Sequence, residues 1–157
     1  MGMASTPELR PARAEDLAGV LRIDRETPEA PHWAEVEYAG RVAGEEEGEL
    51  MRRCLLVAAA SETVVGYAAA RVVAGEAELE TVAVDASARR QGIGRELCRA
   101  VMEWSRLHGA EVMDLEVRAA SLGPQRLYAE LGFMPTGRRR DYYQEPPDDA
   151  VMMRVAF

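Results

Sequence analysis

The chain has 157 residues and a formal net charge of −8, a balance of 27 acidic against 19 basic residues, the basic ones all arginine. That length is expected to form a single domain over residues 1–157 with a proper core, and the acidic balance argues against general nucleic-acid binding, which relies on a basic footprint. The longest apolar run, Leu55 to Ala60, is too short to span a bilayer, Cys54 and Cys98 stand apart, and His32 and His108 lack ligand spacing. The expectation is therefore a cytoplasmic protein with no metal, no membrane contact and no disulfide framework.

Along the chain, Leu9-Arg10-Pro11-Ala12 reads as a short first strand. Ala14-Glu15-Asp16 then opens a helix with Leu17, Val20, Leu21 and Ile23 on one face. From Thr27 to Gly48 the periodicity is poor, with prolines at 28 and 31 and a short helix expected to contain Trp33, Val36 and Tyr38. Glu45-Glu46-Glu47 and Glu49 make an acidic patch there. A segment of this kind either shapes an acceptor site or is a surface insertion. Cys54 to Ala59, Val64 to Val73 and Ala77 to Val84 read as an antiparallel meander turned at Ser61-Glu62 and Gly75-Glu76. A helix after Gly92 places Ile93, Leu97, Val101, Trp104 and His108 on one stripe and ends at Gly109. Val112 to Val117 is the next strand, Gly123-Pro124 opens a helix closed by Gly132, and Arg139 to Gln144 and Val151 to Phe157 read as closing strands around a Pro146-Pro147-Asp148-Asp149 loop. The strand–helix–strand unit from Ala77 to Val117 is a crossover, so the fold class is α/β (α+β) with a mixed central sheet flanked by helices.

The most informative stretch is Val82-Ala83-Val84-Asp85 followed by Arg89-Arg90-Gln91-Gly92-Ile93-Gly94-Arg95. It reads as a strand, a basic turn with two glycines, and a helix start, where outward N–H groups and the helix dipole suit a pyrophosphate. A side chain at either glycine would hold the phosphate off the backbone. No lysine follows Gly94, which excludes a Walker loop, and the third glycine of a dinucleotide fingerprint is missing. The spacing alone equally fits a glycine kept for steric reasons. The ligand expected is a phosphate-bearing molecule other than NAD or a nucleoside triphosphate.

This order, with the glycine turn after the third meander strand, resembles the GNAT acetyltransferase fold. Leu115-Glu116-Val117-Arg118-Ala119 followed by Leu127-Tyr128-Ala129-Glu130-Leu131-Gly132-Phe133 resembles a block of that family. Arg138-Arg139-Arg140-Asp141-Tyr142-Tyr143 and Asp149-Ala150-Val151-Met152-Met153 are similar to the C-terminal part of its ribosomal-protein-alanine N-acetyltransferase branch, the RimI type. The resemblance runs from about Leu79 to the C-terminus and is architectural before that. It implies acetyl-CoA as cosubstrate, contacted by the backbone of Val82, Ala83 and Val84 and by Arg89, Arg90, Gln91, Gly92, Ile93, Gly94 and Arg95. Ser121 stands where the family usually has a CoA-contacting asparagine.

Transfer from a thioester to an amine requires deprotonation of the amine, stabilisation of the carbonyl oxygen and a proton for the leaving thiolate. The resemblance assigns the base to Glu116, the acid to Tyr128 and the carbonyl contact to the Val84 N–H. From the residues alone, Glu116 alternates with Asp114 and fits a solvent-facing position, while Tyr128 beside Leu127, Leu131 and Phe133 fits a core edge. Glu80 is a rival base, and Asp85 is expected to cap the turn. Arg138 to Arg140 with Tyr142-Tyr143 line an acceptor groove or form a charged edge strand. The acceptor implied is a protein N-terminus, with a small-molecule amine as the alternative and a non-catalytic acyl-CoA-binding domain as a third reading. The protein is expected to act as a monomer or homodimer.

Overall fold

The computed structural model describes residues 6–42 and 50–157. The acidic patch Glu45-Glu46-Glu47 and Glu49 lies outside them. Among the described residues the chain runs β1 (Glu8–Pro11), a 3-10 turn (Ala14–Asp16), α1 (Leu17–Glu26), α2 (Glu35–Val42), β2 (Met51–Ala60), β3 (Thr63–Val73) and β4 (Glu76–Val84). A second 3-10 turn (Ala86–Ala88) leads to α3 (Ile93–Leu107), β5 (Val112–Arg118), α4 (Leu122–Glu130), β6 (Met134–Gln144) and β7 (Pro147–Ala156). The strands form one sheet in the order β1-β2-β3-β4-β5-β7-β6. β1 to β4 are antiparallel neighbours, β4 and β5 are parallel across the α3 crossover, and β7 inserts antiparallel between β5 and β6.

Side-chain alternation along the strands divides the core between the two faces. On one face α1 and α2 lay Val20, Leu21, Ile23 and Tyr38 over Leu55, Val57, Tyr67, Ala69 and Ala83. On the other, α3 and α4 lay Ile93, Leu97, Cys98, Val101 and Tyr128 over Leu56, Ala68, Ala70, Leu79, Met113, Leu115 and Met153. Gly66 of β3 lets α3 approach this closely: a Cβ there would sit 3.1 Å from Leu97 Cδ1 and 3.1 Å from the Ala83 carbonyl oxygen.

The boundaries differ from the sequence reading in three places. α2 starts at Glu35, after Trp33, and buries Tyr38 and Arg41 while Val36 is exposed, so its inner face is half polar. β6 and β7 reach from Met134 and from Pro147, so the stretch read as a Pro-rich loop is largely strand and only a tight turn around Glu145-Pro146 joins the two. The polar character of β6 hid its length: it is an exposed edge strand. His108 is a helix-end residue as expected, its ring stacked on Trp104 at 4.4 Å and Gly109 following at φ +88°.

Candidate functional site

Two irregularities in β4 make the site. Pairing between β4 and β5 runs from Glu76–Val112 to Glu78–Asp114 and, among the described residues, goes no further, so the strands diverge. On the other side of β4, Ala69 pairs with Thr81 and Ala70 with Leu79, which leaves Glu80 as the extra residue of a bulge. The bulge puts Glu80 and Thr81, though consecutive, both on the side of α1 and α2. Glu80 meets Arg41 of α2 there, and Thr81 lies beside Tyr67.

The gap between the strands is a cleft of about 500 Å³, walled by Leu79 to Val82, Leu115 to Arg118, Ala120 to Pro124, Tyr128, Tyr143 and the loop residues Thr27, Glu29 and Ala30. Asp85 N–H donates to the Val65 carbonyl at 2.8 Å. Peptide groups alternate in direction along a strand, so the N–H groups of Val82 and Val84 turn away from β3 and toward the gap.

At the far end of β4 the chain makes the basic turn. Gly92 is the N-cap of α3 at φ +79°, a conformation other residues resist. Arg90 adopts φ +64°, and Arg89, Arg90, Gln91 and Gly92 are exposed. The first helical bond is Glu96 N–H to the Gly92 carbonyl at 3.1 Å, and no side chain caps the helix. The N–H groups of the first turn, Ile93 to Arg95, are therefore left for a ligand. A Cβ on Gly94 would make only ordinary contacts, 3.7 Å from Val84 Cγ2 and 4.0 Å from Leu127 Cδ2. A single Cβ at 94 therefore meets no clash within the protein. Asp85 holds the turn to α1: it accepts from Ser87 and lies 3.0 Å from Arg22 Nη1, and these contacts hold its carboxyl below the ordinary range.

Tyr128 enters the cleft from α4 with its ring edge-on to Phe133 at 5.9 Å. Burial pushes its phenol well above the ordinary value, with Cys98 and Tyr143 adding to the effect, so the hydroxyl stays protonated at neutral pH. Glu116 comes from β5 and lies on the boundary of two spaces. It lines the cleft, and it also lines a groove of about 990 Å³ that runs across the paired part of β4 and β5, with Arg71, Glu78, Asp114, Arg139 and Tyr142. Its side chain is 28% exposed, with Arg139 Nε 3.5 Å from Oε1. By accepting from Tyr142 it holds that phenol above its ordinary value.

The rival carboxylate is differently placed. Both Glu80 oxygens accept from Arg41, at 3.2 Å from Nε and 2.9 Å from Nη2, in a buried pair whose guanidinium also lies 4.0 Å from the Trp33 ring centre. Ser121 is the N-cap of α4 and lines the cleft, and its hydroxyl makes no cap bond. Gln125, which the sequence reading passed over, closes the end of β5 by donating to the Arg118 and Ala119 carbonyls at 3.0 and 2.9 Å.

The basic and aromatic run of β6 is the exposed edge strand of the sheet, and part of it also lines the two spaces beside Glu116. Between Arg139–Ala150 and Tyr143–Asp148 β6 has more residues than β7 and bulges, with Asp141 at φ +53°. Tyr143 turns into the cleft under Arg118, 4.2 Å from its ring centre, while Arg139 and Tyr142 line the groove. Arg138 pairs with Asp149 at 3.4 Å, and Arg140 is an exposed edge residue. Sequence reasoning also missed Asp24, buried to 1% beneath α2. Its signal was its place: it falls at i+4 from Val20 and i+7 from Leu17, a carboxylate on the apolar stripe.

The model of the acetyltransferase (GNAT) family matches residues 7–133. The ribosomal protein bS18-alanine N-acetyltransferase of Salmonella typhimurium is 31% identical over 142 residues, covering 89% of this chain and 90% of the relative. The crystal structure of the ribosomal-protein-S18-alanine N-acetyltransferase from Escherichia coli superposes with a TM-score of 0.80 at 28% identity, covering 95% of this chain and 92% of that one. Arabidopsis thaliana NAA60 in complex with acetyl-CoA has the same fold, with a TM-score of 0.83 at 18% identity over 97% of this chain and 100% of that one.

Proposed function

The chain belongs to the GNAT acetyltransferase family and is an N-acetyltransferase, and we propose that it transfers acetyl from acetyl-CoA to a protein's N-terminal amine. The observation that carries this reading is the position of Glu116, which lines both the cleft between β4 and β5 and the adjoining groove. A donor in the cleft and an acceptor chain in the groove would meet at that carboxylate. The relatives named for bS18-alanine acetylation favour a protein N-terminus as acceptor.

Acetyl-CoA, when bound, supplies the activated acyl group as a thioester. The unpaired N–H groups of Ile93 to Arg95, with Gln91, Gly92 and the guanidinium groups of Arg89 and Arg90, suit its pyrophosphate, while the Arg95 guanidinium pairs with Glu130. The backbone of Val82, Ala83 and Val84 runs beside the pantetheine arm, and Ser121 offers a hydroxyl to it. Val84 N–H donates to the carbonyl oxygen as negative charge builds there. Glu116 removes the proton from the amine, and Tyr128, protonated because it is buried, gives its proton to the departing sulfur. Glu80 is a poorer base, since removing a proton from substrate would disrupt its bidentate bond to Arg41. α-Amines suit this chemistry: a pKa near ~8 leaves a useful neutral fraction at pH 7.

The test is mass spectrometry of peptides with free N-terminal Ala or Ser incubated with protein and acetyl-CoA. Glu116→Gln and Tyr128→Phe are each expected to lower the rate at least about tenfold. A fully active Glu116→Gln beside a dead Glu80→Gln would overturn the assignment of the base. Acetylation of polyamines with no peptide modified would move the acceptor to small amines.

A further inference from the structure

The last three strands of the sheet bring a cation to the carboxylate of Glu116. Glu116 of β5 pairs with Met152 of β7, which pairs with Gly137 of β6, while Arg118 pairs with Ala150 and Ala150 with Arg139. Residues directly opposite one another, and residues two apart on one strand, share a face. Glu116 and Arg139 therefore stand on one face with β7 between them. It is the face away from α3 and α4, whose core takes the alternate residues Leu115, Val117 and Met153. With alanine at 150 and no side chain at 137, Arg139 leans across β7, and its Nε comes to 3.5 Å from Glu116 Oε1.

That guanidinium is held differently from its neighbours in the groove. Arg154 donates to both Asp114 oxygens at 2.7 and 2.8 Å, and Arg71 donates to Glu78 from Nε and Nη2. The Arg139 contact is an ion pair longer than an N–H···O hydrogen bond, and among the described residues Arg139 makes no hydrogen bond. Its side chain is 53% exposed, with the guanidinium carbon 5.7 Å from the Tyr142 ring centre. A guanidinium carries five N–H donors and no acceptor, whereas a carboxylate only accepts. Glu116 and Arg139 thus set an acceptor and uncommitted donors side by side along the groove.

An N-terminal residue carries the matching pair. Its amine nitrogen and its carbonyl oxygen are three bonds apart, about 3 Å from each other. An amine that gives its hydrogen to Glu116 brings that carbonyl within reach of the Arg139 N–H groups. A polyamine or a lysine side chain has no carbonyl beside its amine, and a second ammonium group would meet the arginine as a like charge. Resting on the acyl-transfer reading above, we infer that Arg139 donates a hydrogen bond to the carbonyl oxygen of the acceptor's first residue, and so selects a peptide α-amine over an alkyl amine.

The experiment is steady-state kinetics on an N-terminal alanine peptide, with butylamine as a competitive inhibitor and acetyl-CoA binding measured by calorimetry. Arg139→Met is expected to raise KM for the peptide about tenfold, while kcat stays within about threefold and the Kd for acetyl-CoA within about twofold of wild type. The inhibition constant of butylamine, which has no carbonyl, is expected not to rise. Arg139→Lys keeps a charged donor without the planar fork and should fall between wild type and Arg139→Met. A variant that loses kcat with KM unchanged would show that the arginine acts only on Glu116, and would overturn the inference; so would equal weakening of peptide and butylamine. A wild type that acetylates a polyamine or free alanine but no peptide overturns the N-terminal reading and this inference with it. A wild type active on the peptide whose variant misses these marks overturns the inference alone.

Discussion

The turn before α3 presents backbone N–H groups from one continuous run, Ile93 to Arg95, whereas the wall beneath α1 and α2 is assembled from side chains of α1, α2, β3 and β4. The first region needs glycine, a strand end and a helix start in a fixed order, and those are properties of neighbouring residues. The second needs Asp24 to meet Tyr38, Tyr38 to meet Tyr67, and Arg41 to meet Glu80, contacts that span up to 39 residues of sequence. A site made of backbone is written locally; a site made of side chains is written only in the fold.

The two regions share one sheet, and alkaline pH tests whether they also share their stability. Burial pushes Cys54 and Cys98 up to about 12 and Tyr67 up to about 12, with Tyr38 and Tyr128 raised further. Cys98 and Tyr128 belong to the α3–α4 face, Tyr38 and Tyr67 to the α1–α2 face. All five are raised, so the unfolded chain releases these protons first, from about pH 9 for thiols and about pH 10 for phenols. Stability is full below that range and falls as pH climbs toward the native values, by several kcal/mol in all (order of magnitude). The two tryptophans report the faces separately, Trp33 beside Tyr38 and Trp104 on α3. The expectation is one alkaline midpoint in single-tryptophan variants; two midpoints would mean that the faces come apart independently.

A smaller effect, confined to the side-chain region, follows from breaking the Arg41–Glu80 pair. Arg41→Met leaves a buried carboxylate without its cation and is expected to cost about 3–5 kcal/mol, read as a fall in melting temperature. Arg41→Met with Glu80→Leu should recover most of the loss, since removing both charges also removes their desolvation. Binding of acetyl-CoA below the melting range should hardly change. A large loss of acetyl-CoA affinity would show that the two regions are not separable.

These contrasts explain what could be read before the fold was known. The glycine turn and the crossover were legible because each is set by a short run of neighbouring residues, whereas the Glu116 and Tyr128 blocks stood out only through their resemblance to the acetyltransferase family. The meander was legible too, since Ser61 and Gly75 fall where β2, β3 and β4 turn. The divergence of β4 from β5 was not, because it depends on where pairing stops, and neither partner's sequence marks Glu78 or Asp114 as the last pair. The bulge at Glu80 was equally silent: a strand that inserts one residue keeps its β-forming composition and changes only the face each later side chain takes. Glu80 was therefore visible as a carboxylate near the site, while its partner Arg41, in a segment of poor periodicity read only as a short helix around Trp33, Val36 and Tyr38, was not.

The smallest effect belongs to the backbone-built side and concerns Ser121. It is the N-cap of α4, its hydroxyl is uncommitted to that cap, and it stands on the cleft wall near Tyr128. Asparagine is as good an N-cap as serine, so Ser121→Asn should leave the helix start and the melting temperature unchanged. The longer amide can reach further into the cleft with both a donor and an acceptor. One added hydrogen bond to a ligand is worth about 1 kcal/mol net, so the Kd for acetyl-CoA is expected to fall by up to about fivefold while kcat/KM for the amine, measured at saturating acetyl-CoA, stays put. A change in the amine term with none in acetyl-CoA binding would place Ser121 on the acceptor side and redraw the line between the two regions.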